Sequence, residues 1–180
     1  MEVRHIKYRI LAGLTIALLL SVAVFLPELV GLGWHVIYGQ EASFHEWRIP
    51  VPNGWFATSQ GDSLTLERML HIPLREPSPT VVFLRMHTGK DLLFRPDIWT
   101  SVQTELQNRR GYRLVDMRKV AMNGAPGYCW EFEKRQDTSR WWITCLVPSQ
   151  RLSADFSGQH VFAGAFYRIL PQIRWDRGST

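Results

Sequence analysis

The chain has 180 residues and a formal net charge of +5, with 46% hydrophobic and 21% charged residues. This balance excludes an intrinsically disordered chain, because such a chain has too little apolar surface to bury. Two cysteines are too few for a disulfide-dense scaffold or a cysteine-rich metal cluster. The positive charges are scattered among negative ones and do not predict a nucleic-acid partner.

The N-terminal segment is predicted to cross a membrane. Residues 10–26 carry no charge, and with the tail to residue 34 the run reaches about 25 residues, enough for a helix to span a hydrocarbon core of roughly 30 Å. After this run the next Lys or Arg is Arg48, whereas three stand before it, namely Arg4, Lys7 and Arg9. The positive-inside rule therefore places the N-terminus in the cytoplasm and exports the domain that follows.

These features divide the chain into four segments. They are a basic cytoplasmic N-terminus (1–9), a transmembrane signal anchor (10–34), a short linker (35–43) and an exported domain (44–176). A cleaved secretory signal peptide is the alternative, but its apolar region is usually about 7–15 residues long, and the small-residue site at 21–23 lies inside the apolar run. In both cases the domain faces the periplasm or the cell exterior, and in the first the bilayer itself is a partner through residues 10–34.

The first half of the domain is predicted to hold three strands and one helix. Alternation predicts strands over 44–51 and 63–69, and the apolar run 80–87 predicts a central strand that is covered on both faces. A helix begins at Pro96 and ends before Gly111. Its core face is predicted to carry Ile98, Trp99, Val102 and Leu106, and its water-facing side Gln103, Glu105, Gln107 and Asn108.

The second half is predicted to be a meander of strands closed by a helix. The strands are 112–121, 127–134, 140–147 and 152–156, and the helix follows Ser157-Gly158. Asn123-Gly124 is a strong hairpin signal between the first two of these strands. The order β-β-β-α-β-β-β-β-α predicts an α+β fold, in which an antiparallel sheet is sandwiched by helices.

Three motifs in this order resemble the PsbP/Mog1/DcrB-like superfamily. They are Arg48-Ile49-Pro50-Val51-Pro52-Asn53-Gly54-Trp55, then Val120-Ala121-Met122-Asn123-Gly124-Ala125-Pro126-Gly127, and lastly Phe156-Ser157-Gly158 with 166–173. The resemblance covers residues 44–175 and implies an α-β-α sandwich around an antiparallel sheet. It implies no single activity, because members include photosystem accessory subunits, small-GTPase regulators and envelope lipoproteins. No lipobox cysteine stands near the N-terminus, which departs from the lipoprotein pattern.

Cys129 and Cys145 are the only cysteines and lie on the two arms of one predicted hairpin. If Lys134 pairs with Arg140, the register places Cys129 directly opposite Cys145, within the reach of a disulfide bond. An exported domain permits oxidation. The alternative is a pair of small buried thiols that stay reduced, and the spacing does not suit a redox catalyst.

No residue pattern predicts catalysis. Histidines are spread over separate segments without metal-ligand spacing, so no metal or other cofactor is expected. Glu131 and Glu133 share a strand face and imitate a glycosidase pair, but the basic residues around them favour an exposed salt-bridged strip. We therefore predict that the chain is not an enzyme. A hydrolase that uses scattered residues such as His87 and Asp91 stays as a third hypothesis.

Two other functions are favoured over the hydrolase hypothesis. The first is a membrane-tethered accessory or interaction module that assists an envelope protein complex through a membrane or envelope protein partner, with no nucleic acid bound. The second is a periplasmic binding domain for a small hydrophobic or anionic ligand. The loops 73–79 and 89–96 would form the rim of its cleft, and its anion contacts would be Arg75, Arg85 and Arg95.

Overall fold

The computed structural model describes residues 2–68, 78–85 and 96–175. Helix α1 spans Glu2–Tyr38, α2 spans Pro96–Arg109 and α3 spans Ala163–Ile169. Ten strands complete the described part: β1 Glu41–Phe44, β2 Trp47–Pro50, β3 Phe56–Gln60, β4 Ser63–Glu67, β5 Thr80–Arg85, β6 Tyr112–Met122, β7 Ala125–Lys134, β8 Asp137–Val147, β9 Leu152–Gln159 and β10 Arg174–Trp175.

The strands form two antiparallel sheets. The large sheet has seven strands in the order β3-β4-β5-β9-β8-β7-β6, and the small sheet has three in the order β1-β2-β10. Paired strands of the large sheet are consecutive in the sequence, except that β5 pairs with β9. With helices on the sheet, this is the α+β class that the element order predicted.

The first predicted strand, 44–51, is instead a tight hairpin. β1 ends at Phe44 and β2 begins at Trp47, and the two-residue turn places His45 at a φ of 50°. Neither turn residue is Gly, Asn or Asp, so the sequence carries no signal for it. Ala42 and Phe44 of β1 are buried as deeply as the predicted strand residues that follow.

Two further elements differ from their predictions. β5 alternates, with Val81 and Phe83 fully buried and Leu84 exposed, so it is not covered evenly on both faces. β9 continues through Ser157-Gly158 to Gln159, beyond the predicted helix start. The closing helix is then short, because α3 is flanked by 3-10 turns at His160–Phe162 and Leu170–Gln172.

The two faces of the large sheet carry separate apolar clusters. One face packs against the small sheet and α3, and its buried members include Phe156, which lies 5.8 Å from Phe166 between ring centroids. Residues alternate between faces along a strand, so Trp130, Phe132 and Leu146 form the second cluster on the other face. α2 covers that cluster, and the Trp130 indole donates a hydrogen bond of 2.7 Å to Thr100.

The end of α1 is attached directly to the domain. The Trp34 indole donates a 3.1 Å hydrogen bond to the carbonyl of Ala57 in β3, and its ring packs against the main core. Gly31 touches Gly54, whose φ of 77° suits a glycine in the turn that follows Pro52. Of the predicted linker, residues 35–38 continue the helix and 41–43 belong to β1, so only Gly39 and Gln40 lie between them.

Within the described residues, no helix has the combination of length and apolar character that crossing a membrane requires. The signal anchor over residues 10–34 stays a prediction.

Candidate functional site

A cleft of about 520 Å³ opens on the α2 side of the large sheet. Its floor is the part of β8 and β9 that α2 leaves uncovered, and β5 and the β3–β4 turn form one wall. The described lining is Gln60, Asp62, Ser63, Leu84, Arg85, Gln103, Trp142, Thr144, Leu146, Ser153 and Asp155. A cleft of this size between sheet and helix can hold a small molecule.

Asp155 is the ionisable group on the floor of this cleft. Burial raises the pKa of its carboxyl above the usual 3.8, while the neighbouring side chains of Thr144, Ser153 and Trp142 act in the opposite direction. The Ser153 hydroxyl lies 3.3 Å from Asp155 Oδ2. Asp155 sits on β9 opposite Thr144 of β8, so strand pairing brings these polar groups together. The carboxyl therefore faces the cleft with neutral hydrogen-bonding neighbours.

α2 presents amides to the sheet where the sequence predicted water. Gln103 and Gln107 are 7% and 0% exposed, whereas Glu105 and Asn108 are exposed as predicted. The Gln103 side-chain oxygen and both amide ends of Gln107 have no hydrogen-bond partner among the described residues. The side chains of the predicted core stripe, Ile98, Trp99, Val102 and Leu106, lie outside the described part. Helical periodicity marked an apolar face but could not show that the helix also presses amides against the sheet.

A charged group borders the mouth of the cleft. Arg85 lies 3.7 Å from the Glu46 carboxylate and 3.4 Å from His45 Nδ1, and His45 Nε2 lies 3.1 Å from Asp62. Arg85, predicted as a ligand-rim residue, therefore reaches the cleft with its charge already balanced. Arg75 and Arg95, and the rim loops apart from Ser78, Pro79 and Pro96, fall outside the described residues.

The predicted carboxylate pair is buried rather than exposed. Glu131 and Glu133 are 2% and 8% exposed. Glu131 accepts hydrogen bonds from the Tyr167 hydroxyl and from Arg118 Nε, the latter at 2.6 Å, and the Arg118 guanidinium lies 4.8 Å from the Tyr167 ring centroid. Burial and the Glu131 carboxylate raise the pKa of the Tyr167 hydroxyl.

This cluster joins α3 to the sheet. Glu133 is bonded in turn to Arg113 on β6. Both carboxylates are engaged by cations, and they belong to the interface between α3 and β6–β7. That arrangement suits a structural contact and leaves neither carboxylate open to a substrate.

Cys129 and Cys145 pair directly across β7 and β8 and form a disulfide bond. The predicted register is observed from Tyr128 to Glu133. It shifts at the next position, where Lys134 pairs with Asp137 rather than with Arg140. The disulfide lies in the core at 0% exposure of both residues, so its place is structural.

No group of three or more metal-ligating side chains occurs among the residues that the structure describes. His87 and Asp91 of the hydrolase hypothesis lie outside them, so that hypothesis is not tested. The described polar groups of the cleft supply hydrogen bonds, two carboxyls and one guanidinium, an arrangement that can hold a ligand.

Comparison with known proteins identifies the fold. No protein-family model and no curated protein sequence matches the chain. The structure is similar to the solution structure of cyanobacterial PsbP (CyanoP) from Synechocystis sp. PCC 6803, with 14% identity, a TM-score of 0.51 and coverage of 76% of this chain and 91% of that one. A Pseudomonas aeruginosa protein of unknown function, PA94, matches at 11% identity and a TM-score of 0.45, covering 73% of this chain and 92% of that one.

The likeness to CyanoP confirms the PsbP-like fold that the three sequence motifs predicted. At this identity it shows the fold alone, because one fold can carry many functions.

Proposed function

We propose that the chain is a membrane-tethered, non-enzymatic accessory or interaction module, with its PsbP-like domain on the outer side of the membrane beside an envelope protein complex. The observation that supports this is the attachment of an apolar helix to the domain with almost no intervening chain. CyanoP, which shares the fold, is a cyanobacterial PsbP. An accessory role is in keeping with that fold but comes to this chain as a proposal.

The surface of α1 supports the tether. Large apolar side chains point outward on successive turns and are 44–65% exposed, namely Leu11, Leu14, Ile16, Leu18, Leu19, Leu20, Val22, Phe25 and Leu26. Because they lie on all sides of the helix, burial against one protein surface would leave many of them in water. Lipid would cover all of them, and the uncharged run 10–26 would be the part covered.

The junction supports a role close to the membrane. Trp34 and Gly31 hold the helix end against β3 and the Gly54 turn. A domain held in this way stays near the bilayer surface, where its partners would be membrane proteins or their outer segments.

The tether is tested with the full-length protein in native membranes. We expect it to resist alkaline carbonate extraction, and we expect external protease to digest the domain. Replacing both Leu18 and Leu19 with Arg should release the protein, because each charge near the bilayer centre costs about 2.5–3.5 kcal/mol on insertion scales. The matched control replaces Val36 and Ile37 with Arg. These residues are 78% and 72% exposed on the same helix but lie outside 10–34, so this variant should stay bound to the membrane. Extraction of the unmodified protein by carbonate would overturn the tether.

The accessory role is tested separately by solubilising those membranes in mild detergent. The accessory role would be supported by an integral membrane protein that copurifies with this protein in a fixed ratio. The same partner should copurify with the Val36 and Ile37 control variant. Migration of the protein alone from fully solubilised membranes would overturn it.

A second function, the binding of a small ligand, is favoured by the cleft. It has a volume of about 520 Å³, and it contains a buried amide oxygen without a described partner. The two functions are compatible, since the cleft lies on the α2 face and the helix junction on β3.

A further inference from the structure

Two polar atoms of the cleft lining are buried without a hydrogen-bond partner among the described residues, the Gln103 side-chain oxygen and the Thr144 hydroxyl. Both oxygens can accept a hydrogen bond, as can the Asp155 carboxyl. A buried acceptor without a donor costs on the order of 1–3 kcal/mol. A ligand that brings several N–H donors would remove that cost.

The charges of the described lining also favour a cation. Asp62 and Asp155 contribute two carboxyls, and Arg85 contributes the one guanidinium. Arg85 lies beside Glu46 at the rim, so its charge is offset before it reaches the floor. Burial raises the pKa of Asp155, and a cation beside it would favour the ionised carboxylate instead.

Three residues of the described lining are largely apolar. Leu84, Trp142 and Leu146 form the wall next to these polar groups. An alkyl or aromatic stem could pack along these side chains and remove them from water, whereas a fully polar molecule would not bury their apolar surface. The volume fits a small molecule rather than a polymer chain.

We propose that this cleft binds a small primary amine, with its ammonium group at Asp155 and Gln103 and a short apolar stem along Leu84, Trp142 and Leu146. The proposal rests on the ligand-binding function suggested above. It names a cationic ligand, whereas the sequence suggested a hydrophobic or anionic one.

The test compares three probes of equal length, butylammonium, 1-butanol and butanoate, on the full-length protein in detergent micelles. Binding is followed by calorimetry and by the fluorescence of the tryptophans, one of which lines the cleft. We expect butylammonium to bind at least tenfold more tightly than the other two, as a charge-assisted hydrogen bond would allow.

Two variants locate the binding. Asp155→Asn should weaken butylammonium at least tenfold and leave 1-butanol unchanged. Leu84→Lys, at a position 38% exposed, should block the amine by placing an ammonium in the cleft, and such an exposed position tolerates the change without unfolding. Asp137→Asn is the matched control, because Asp137 is the first residue of β8 and is not part of the cleft lining, and it should bind as the unmodified protein does.

The outcomes separate the two levels of the proposal. Butanol that binds as tightly as butylammonium and is lost in Leu84→Lys, or butanoate that binds as tightly and is strengthened in that variant, would overturn the amine while keeping a ligand site. Amine binding that survives both Asp155→Asn and Leu84→Lys would overturn this location. The absence of saturable binding for all three probes would overturn the ligand-binding function as well.

Discussion

Three polar side chains that are removed from water in this fold differ in the hydrogen-bonding or charged partners that they find. Glu131 is matched by Arg118 and Tyr167. Asp155 is hydrogen-bonded to the neutral Ser153 hydroxyl, and burial still raises the pKa of its carboxyl, so part of its desolvation is uncompensated. Gln103 has an oxygen that no described group satisfies. The first arrangement is a stable contact, and the other two mark a surface that can gain by binding.

The raised pKa of Asp155 predicts a pH-dependent stability. The unfolded chain releases this proton near pH 3.8, whereas the folded protein holds it to higher pH. The free energy of unfolding therefore falls as the pH rises from 3.8 towards the folded-state pKa. Asp155→Asn cannot ionise, so its stability relative to the unmodified protein should increase through this window. Urea unfolding of the full-length protein in detergent at pH 4 to 7 measures the difference.

Asp137→Asn is the control with the opposite sign. Hydrogen bonds from Ser139 and the nearby Arg140 lower the pKa of Asp137, so its contribution to stability is present above pH 3.8 and is lost as the pH falls through its folded-state pKa. That variant should lose stability relative to the unmodified protein as the pH rises towards 3.8, and it should change little from there to pH 7, so its urea series is extended below pH 3.8. Parallel pH curves for Asp155→Asn and the unmodified protein would show that the Asp155 carboxyl is not destabilised by burial.

The sequence could not reveal these residue environments. The alternation of residue types shows that a strand or helix has two faces, but not which face is buried by other elements. Glu131 and Glu133 read as a solvated strip, yet α3 covers that face and both are buried. Gln103 and Gln107 read as the wet side of a helix, yet they meet the sheet. In each case, contacts from residues distant in the sequence decided the burial.

Among the elements, the β7–β8 hairpin was the most predictable. Two short apolar runs with a polar turn between them fix both strands, and the two cysteines fall opposite one another by counting. The shift at Lys134 was not predictable, because a bulge beside a turn depends on the backbone and not on side-chain pattern. The β1–β2 hairpin was missed because its turn, in which His45 has a positive φ, lacks the Asn-Gly or Asp-Gly pair that signals a two-residue hairpin loop.

Loss of the Cys129–Cys145 link should destabilise this hairpin. Replacing both cysteines with Ala removes a constraint across 16 residues of chain, and we expect the free energy of unfolding to fall by about 3 kcal/mol. Thermal and urea unfolding measure the loss. Reductant should lower the stability of the unmodified protein in the same direction and leave the double variant unchanged. Two thiols that react in the denatured, unreduced protein would show that the bond is not formed in the exported chain.

At the scale of the whole molecule, the fold followed from features that repeat along the chain. Turn residues, alternating strands and three motifs predicted an antiparallel sheet with helices, and the likeness to CyanoP agrees. The cleft did not follow, because it is the space left between α2 and the β8–β9 floor. The junction between α1 and the domain also escaped prediction, since Gly31 and Gly54 meet across 23 residues of chain.

The junction predicts unequal effects for two glycines of one helix. A Cβ at Gly31 would lie 2.6 Å from the Gly54 Cα, whereas nothing lies within 4 Å of a Cβ at Gly33. Gly31→Ala should therefore force α1 away from the Gly54 turn and destabilise the domain by about 1–3 kcal/mol. Gly33→Ala should be neutral or slightly stabilising, because Ala favours the helix.

Urea unfolding and amide hydrogen exchange over residues 31–40 measure both variants. Faster exchange is expected in Gly31→Ala alone. Equal stability and equal exchange in the two variants would contradict the contact between the helix and the turn.

The short passage from Tyr38 to Glu41 has a mechanical consequence. A helix of 37 residues is about 55 Å long. Its C-terminal end is fixed to the domain through Trp34. Such a helix acts as a lever, so that a change in its tilt must swing the whole domain and its cleft through the same angle. Conversely, a force applied to the domain would be felt along the helix as a torque.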